Sequence, residues 1–382
     1  MQTWWHGVNE LDKDQQAIMD LPADGSFAVT GPPGSGKTNL LLMRGAYLSA
    51  MSRNVAILVM NGTLARFIRS GATKYGVAPE SVMTSRQFIS MLAAESGQPL
   101  TKGLDWDEGK AEAFSALQRI RHEKGKAIYD AILIDEAQDH NEEELACFRA
   151  ISRDLFLTAD PRQMIYSGGC RDDRFDGLVD ECKTLRLHYR SALDICDLAD
   201  AIGDSYSVQY TRIAPTCRYP SDAPKPEIKI VQAPLTRQAE MIADRLDAQL
   251  RAYRGELIGV FAPGRKEAAE IAAILGRKWG SQMTVQVGKE GYMDMDPNRP
   301  ICVSTLHGAK GLEFRSVHFA AAETVRQHGD KQKRLAFTGV TRAKTALTIY
   351  HEKALPGYFD SSVARWRPQS GAADWRKMFD AR

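Results

Sequence analysis

The chain alternates short apolar runs with longer stretches of helical period. Phe27–Thr30, Val55–Met60, Ala131–Ile134 and Leu155–Thr158 are nearly unbroken in apolar residues. Such runs predict strands of a parallel sheet buried on both faces, since a half-wet sheet would alternate apolar and polar positions. Helical patterns lie between them. In Lys110–Lys124, for example, Ala113, Leu117 and Ile120 recur on one face. The segment 213–226 is rich in Pro, Cys and Ser and predicts a loop. The alternation then resumes, with strands at Glu227–Val231, Leu257–Phe261, Ile301–Thr305 and Ala346–Tyr350 and helices at Thr236–Arg254 and Lys266–Lys278. This order predicts an α/β fold in two domains, residues 1–181 and 182–382.

Composition narrows the class. Of 382 residues, 43% are hydrophobic and 26% charged, the balance of a globular protein and not of a disordered or fibrous one. No apolar run approaches the roughly 18 residues of a membrane helix. The opening Met-Gln-Thr-Trp-Trp-His lacks the basic and apolar regions of a signal peptide. The six cysteines form no Cys-x-x-Cys pair and no zinc spacing, so free thiols in the cytoplasm are expected. Net charge is only +2, and any nucleic-acid site must therefore be a local groove.

The strongest chemical signal is Gly31-Pro32-Pro33-Gly34-Ser35-Gly36-Lys37-Thr38, a full G-x-x-x-x-G-K-[ST] phosphate loop between a strand and a helix. Its glycines permit a tight turn whose N–H groups face phosphate oxygens. Lys37 supplies a charge for the β- and γ-phosphates of ATP, and the Thr38 hydroxyl is a ligand for Mg²⁺. The helix that follows points its N-terminus at the anion. Downstream, the apolar strand through Ile134 ends in Asp135-Glu136-Ala137-Gln138-Asp139. Alone, such acids suit a helix N-terminus equally well. Paired with the phosphate loop, Asp135 reads as a Mg²⁺ ligand through water, and Glu136 as the base for the attacking water.

Read together, these two motifs make the chain resemble the UvrD/Rep-like superfamily 1 helicases, and further motifs follow in that family's order. Leu11–Gln16 resembles the Q motif, with Gln15 the better-spaced adenine reader. Met60–Leu64 and Met83–Phe88 resemble motifs Ia and Ib, and Ala159–Tyr166 resembles motif III. His188–Ser191 resembles motif IV, usually Asn-Tyr-Arg-Ser. Thr305–Phe314 is similar to motif V and Val340–Ala343 to motif VI. The resemblance implies two RecA-like domains with ATP in the cleft between them. It makes Gln163 a γ-phosphate sensor and Tyr189 an adenine stack, with Arg190 and Arg342 as arginine fingers. Glu313 would contact the ribose or link motif V to the nucleotide. Asn61, Thr63, Thr84, Arg86, Tyr166, Thr305 and His307 would lie along a single DNA strand, mostly on its phosphates. Without the family, each arginine reads as a surface ion pair, and Thr84 and Thr305 as ordinary turn chemistry.

The chain also departs from that pattern. Gly168 stands where an aromatic residue often stacks on a base, and His188 replaces the usual Asn. Only about 40 residues lie between Ile89 and Ala127, and about 24 between Arg277 and Pro300, too few for the helical accessory domains common in the family. Trp4-Trp5, Arg365-Trp366-Arg367 and Trp375-Arg376-Lys377 interleave aromatic and basic residues. That composition suits a single strand, a partner protein or packing on the core. Two functions follow. One is an ATP-dependent DNA translocase or helicase moving 3′ to 5′ on single-stranded DNA or junctions. The other is an ATP-operated DNA sensor or regulatory subunit, partnered with a nuclease, that does not unwind processively.

Overall fold

A computed structural model of the chain describes residues 7–366, apart from 105, 166–168, 170–174, 288–290, 293–295 and 297. Trp4, Trp5, Tyr166, Gly168, Arg367 and the Trp375–Lys377 segment fall outside the described residues. Two sheets organise the rest. The first contains β1 (Phe27–Thr30), β2 (Val55–Val59), β3 (Val82–Thr84), β4 (Tyr129–Ile134), β5 (Ser152–Ala159) and β6 (Glu181–Thr184), all parallel, in the order β3-β2-β4-β5-β1-β6. Every residue of β2 is buried, as its unbroken apolar run requires. The helices of this half are α1 (Lys13–Met19), α2 (Lys37–Ala50), α3 (Gly62–Ala72), α4 (Ser85–Glu95), α5 (Trp106–Lys124) and α6 (Glu142–Ile151).

The second sheet is formed by β7 (Glu227–Gln232), β8 (Ile258–Ala262), β9 (Met283–Val287), β10 (Gly291–Tyr292), β11 (Ile301–Thr305), β12 (Phe314–Phe319) and β13 (Ala343–His351), ordered β10-β9-β11-β8-β12-β13-β7. Only β10 is antiparallel. Its helices are α7 (Leu193–Gly203), α8 (Leu235–Ala252), α9 (Arg265–Trp279), α10 (Asp330–Thr341) and α11 (Gly357–Trp366). The architecture is α/β, two parallel sheets flanked by helices, as in a pair of RecA-like domains. The chain leaves the first sheet after Thr184, and α7 already packs on α10 and α11.

Two features place the site. The phosphate loop and the acidic segment leave the C-terminal ends of β1 and β4, where open α/β sheets present their ligand crevice, while Glu313 and Arg342 stand just before β12 and β13. The two halves are also joined by a continuous apolar cluster that runs from Leu40 and Leu64 to Leu312 and Phe314. At that seam Gly311 (φ +85°) passes so close to Leu64 that a Cβ would stand 2.6 Å from its Cδ2. The short stretches before the acidic strand end and before motif V are absorbed into the domains. α5 packs on α4 and α6, and β9 and β10 extend the second sheet.

Candidate functional site between the two sheets

The phosphate loop leaves β1 and ends at Gly36, whose left-handed backbone (φ +87°) caps α2. A side chain at Gly36 would meet the Gln15 amide at 2.7 Å, and one at Gly34 (φ +66°) would meet Arg190 Cβ at 2.3 Å. Only glycine fits either position. Lys37 Nζ folds back onto the loop and donates to the carbonyls of Gly31 (2.9 Å) and Pro32 (2.8 Å). Burial pulls its ammonium below the ordinary value, against the attraction of Asp160, Glu136 and Asp135. Within the loop, the buried Ser35 hydroxyl has no hydrogen-bond partner among the described residues, so a donor remains for an anion held there.

Asp135 lies at the end of β4. Its carboxylate accepts from Thr38 Oγ1 at 2.8 Å and from Thr158 Oγ1 at 2.5 Å. One hydroxyl and one carboxylate, both hard oxygens, fit Mg²⁺, which keeps several waters and takes its other ligands from substrate phosphates. Glu136 has a left-handed backbone (φ +56°), unusual for its type, which turns its side chain back toward the site. Burial raises both neighbouring carboxyls. Asp135 stays raised because Glu136 adds repulsion, whereas Lys310, Lys37 and Arg342 outweigh burial at Glu136 and bring it below its ordinary value. The pair is therefore split electrostatically, with Glu136 the better-ionised member.

The second sheet supplies cations. Arg342, at the end of α10, is buried and donates to Gln163 Oε1 at 2.6 Å and to the Leu312 carbonyl at 2.9 Å. Burial and then Arg190 bring it down to about 9, still protonated at neutral pH. Arg190 pairs with Glu313 at 2.5 Å, and Lys344 holds the other Glu313 oxygen at 3.2 Å. Burial opposes ionisation of Glu313, but these two cations hold its carboxyl down at about 2. Glu313 thus anchors Arg190 in this structure. On the Q-motif side, Gln15 donates to the Ser35 carbonyl at 3.0 Å, and the Tyr189 hydroxyl donates to Asp12, which is also the capping-box partner of Gln15.

A cavity of about 650 Å³ lies between these groups, with Gln15, Lys37, Thr38, Asp135, Glu136 and Gln163 on one wall and Tyr189, Arg190, Glu313 and Arg342 on the other. All six residues proposed for catalysis therefore converge on one space. A wider depression of about 750 Å³ at the opposite end of β4 and β5 is lined by Arg121, Arg149, Arg153 and the single acid Asp130, far from the phosphate loop. Sequence reasoning missed the group that ties the two walls together. Buried Lys310 of motif V donates to Asp139 (2.6 Å) and to the Gln163 carbonyl (2.8 Å), and stands 3.5 Å from Glu136. Asp139 lies in the acidic segment after β4 and Lys310 in motif V, and nothing in either local string points to the other.

The residues expected along the nucleic acid are more scattered. Asn61 caps α3 through the Leu64 amide (2.8 Å) and donates to the Lys310 carbonyl (3.1 Å). Thr63 is fully buried. Thr84 caps α4 in a capping box with Gln87, and Arg86 is exposed on that helix. Thr305 accepts from the Gly308 amide at 3.2 Å. His307 is half-buried, and burial, with Lys331 and Lys310 adding to it, lowers it to about 4. Tyr166 is outside the described residues.

Comparison with known proteins agrees with this geometry. Residues 14–169 match the model of a family described as an AAA domain, and residues 300–350 match that of the UvrD-like helicase C-terminal domain. No curated protein matches the chain. Among solved structures, the C-terminal domain of a possible DNA helicase from Lactobacillus plantarum WCFS1 shares 19% identity, with 47% of this chain and 96% of that one covered and a TM-score of 0.35. The PRRSV helicase shares 16% identity, covering 85% of this chain and 52% of that one at a TM-score of 0.39, so the chain spans about half of its length. Both likenesses are loose. An AAA domain over the phosphate loop and acidic strand end, followed by a UvrD-like helicase C-terminal domain over motifs V and VI, supports a UvrD/Rep-like helicase.

Proposed function

We propose that the chain is a DNA-stimulated ATPase and translocase that moves 3′ to 5′ on single-stranded DNA or at junctions in the cytoplasm. The observation that carries this reading is the single cavity in which Lys37, Thr38, Asp135 and Glu136 face Arg190 and Arg342. In this reading Lys37 and the loop amides hold the ATP phosphates, and Thr38 and Asp135 hold Mg²⁺. When bound, that ion neutralises charge on the β- and γ-phosphates. Glu136 takes the proton of the attacking water as the bond to the β–γ bridging oxygen breaks. Arg190 and Arg342 meet the charge that develops, Gln163 senses the γ-phosphate, and Tyr189 and Gln15 hold the adenine. Because Lys310 and Arg342 of the second domain are bonded to Asp139 and Gln163 of the first, a change at the γ-phosphate alters bonds that cross the cleft. This supports coupling of hydrolysis to domain closure and stepping.

A second reading, a DNA sensor or nuclease-partnered subunit, has its own support. Among the described residues, neither 89–127 nor 277–300 forms an accessory domain. The isolated chain is then expected to hydrolyse ATP on single strands yet unwind long duplexes poorly. A strand-displacement series of increasing duplex length, run beside ATP hydrolysis with and without single-stranded DNA, tests both. Hydrolysis indifferent to DNA would refute the first reading, and efficient partner-free unwinding of long duplexes would refute the second.

A further inference from the structure

His188 stands where three segments meet, and it is fully buried. Its Nδ1 bonds the Pro33 carbonyl in the phosphate loop, and its Nε2 lies 2.9 Å from the Ser191 amide nitrogen. A backbone amide can only donate, so Nε2 is the bare acceptor and Nδ1 carries the proton. The ring is thus neutral and locked in one tautomer. Burial, with Arg190 adding to it, lowers its pKa to about 3 and keeps it neutral through the working range. The backbone is fixed as well. His188 N donates to the Thr216 carbonyl at 3.1 Å, and its own carbonyl accepts from Arg218 N at 2.7 Å. The next amide, Tyr189 N, donates to the Gly34 carbonyl at 3.1 Å, and Arg190 Cβ packs into the space left by the missing Gly34 side chain.

We propose that His188 is a positioning residue, tying the loop apex Pro33-Gly34 to the turn that carries Tyr189 and Arg190. It thereby sets where the Arg190 guanidinium stands over the bound phosphates. This role rests on the ATPase reading above. An imidazole offers its two nitrogens on opposite sides of a rigid ring, so one side chain spans both the loop and the turn. Asparagine, usual at this position in the resembling family, carries its two polar atoms on one carbon. It can cap the Ser191 amide as an Asx-type acceptor but has a shorter span toward Pro33.

The test uses the full chain with His188→Leu, which removes both bonds, and His188→Asn, which keeps only the bond from the Ser191 amide. Two quantities are read, the kcat and KM of DNA-stimulated ATP hydrolysis and the hydrogen exchange of residues 31–38. In His188→Leu, kcat is expected to fall about tenfold or more with KM for ATP within about threefold, since misplacing a group already bound slows the chemical step. His188→Asn should fall between this and wild type. Exchange in the loop should rise in the same order. Unchanged kcat, unchanged loop exchange, or a loss confined to KM would each overturn the proposal. Thermal melting shows whether each variant folds, and if His188→Leu does not, His188→Asn decides by the same two readouts. Absence of ATP hydrolysis in the wild type would overturn the ATPase reading and this role with it. Loop exchange would still tell whether the tie exists, which separates that failure from a failed tie.

Discussion

The nucleotide cleft and the rim of strand ends beside it use similar polar side chains in opposite ways. In the cleft, hydrogen bonds join residues remote in sequence: Lys310 to Asp139 across 171 residues, Arg342 to Gln163 across 179 and His188 to Pro33 across 155. On the rim they are local. Asn61 bonds Leu64, Thr84 bonds Gln87 and Thr305 bonds Gly308, each three residues on. A local cap forms wherever the helix or turn forms, whatever the rest of the molecule does. A long-range bond reports how the two halves are placed. The cleft bonds therefore depend on how the two halves sit, while the rim groups are held in place by their own helix or turn. Asn61 is the exception, since its amide also reaches the Lys310 carbonyl, and it is where the two regions touch.

The comparison breaks first if a cleft cation is removed. Arg342→Ala should lower kcat for ATP hydrolysis by about 10³- to 10⁵-fold, the range for lost arginine fingers, with a smaller change in ATP affinity. Steady-state kinetics beside nucleotide binding would show it, and weaker binding at unchanged kcat would refute it. Glu136→Gln should follow, with a loss of about 10²- to 10⁴-fold, typical of a general base, while ATP is still bound. Wild-type turnover in that variant would remove Glu136 from the role.

A smaller effect appears in acid. In the fold Glu313 titrates at about 2, below its ordinary 4.5, so the unfolded chain binds this proton more readily. The stabilisation from its pairs with Arg190 and Lys344 is whole above about pH 4.5 and is lost as pH falls toward 2. Melting temperature measured across that window should fall less steeply in Glu313→Gln than in wild type. Parallel slopes would mean that the pair does not hold the cleft together.

The same contrast explains what could be read from the sequence. Central strands such as β2 and β4 are near-continuous apolar runs, and the phosphate loop and acidic strand end are local strings, so both stand out. β3 is three residues long, and β6, Glu181–Thr184, is an exposed polar edge. β12 contains Arg315, Ser316 and His318, which look wrong for a buried strand. Gln249, from α8, bonds both Ser316 and His318, and Tyr350 bonds His318. No local pattern announces such partners, for the same reason that none announced Lys310 with Asp139 or His188 with Pro33. The composition of a segment records its burial and its turns, whereas the pairing of remote polar groups is settled only when the sheets are in place.

The finest test separates the two uses of one rim residue. Thr84 caps α4 by accepting from the Gln87 amide at 3.1 Å, while Gln87 returns a bond to the Thr84 amide at 2.9 Å. Thr84→Ala removes the cap and should cost about 1 kcal/mol of stability. Any loss of DNA binding in that variant is then ambiguous, because a frayed α4 would also displace Arg86. Thr84→Asp resolves this. Aspartate caps at least as well as threonine, and its charge suits a helix N-terminus, so melting should stay near wild type. If a phosphate backbone runs past this strand end, the new carboxylate meets it directly and weakens binding through like-charge repulsion. The expected pattern is wild-type stability, wild-type ATP hydrolysis without DNA, and weaker binding of a single strand, with the deficit largest at low salt where charge is least screened. Titration of a labelled single strand at two salt concentrations measures it. If Thr84→Asp binds as wild type at both, Thr84 is a helix cap and nothing more, and the nucleic-acid path runs elsewhere along the rim.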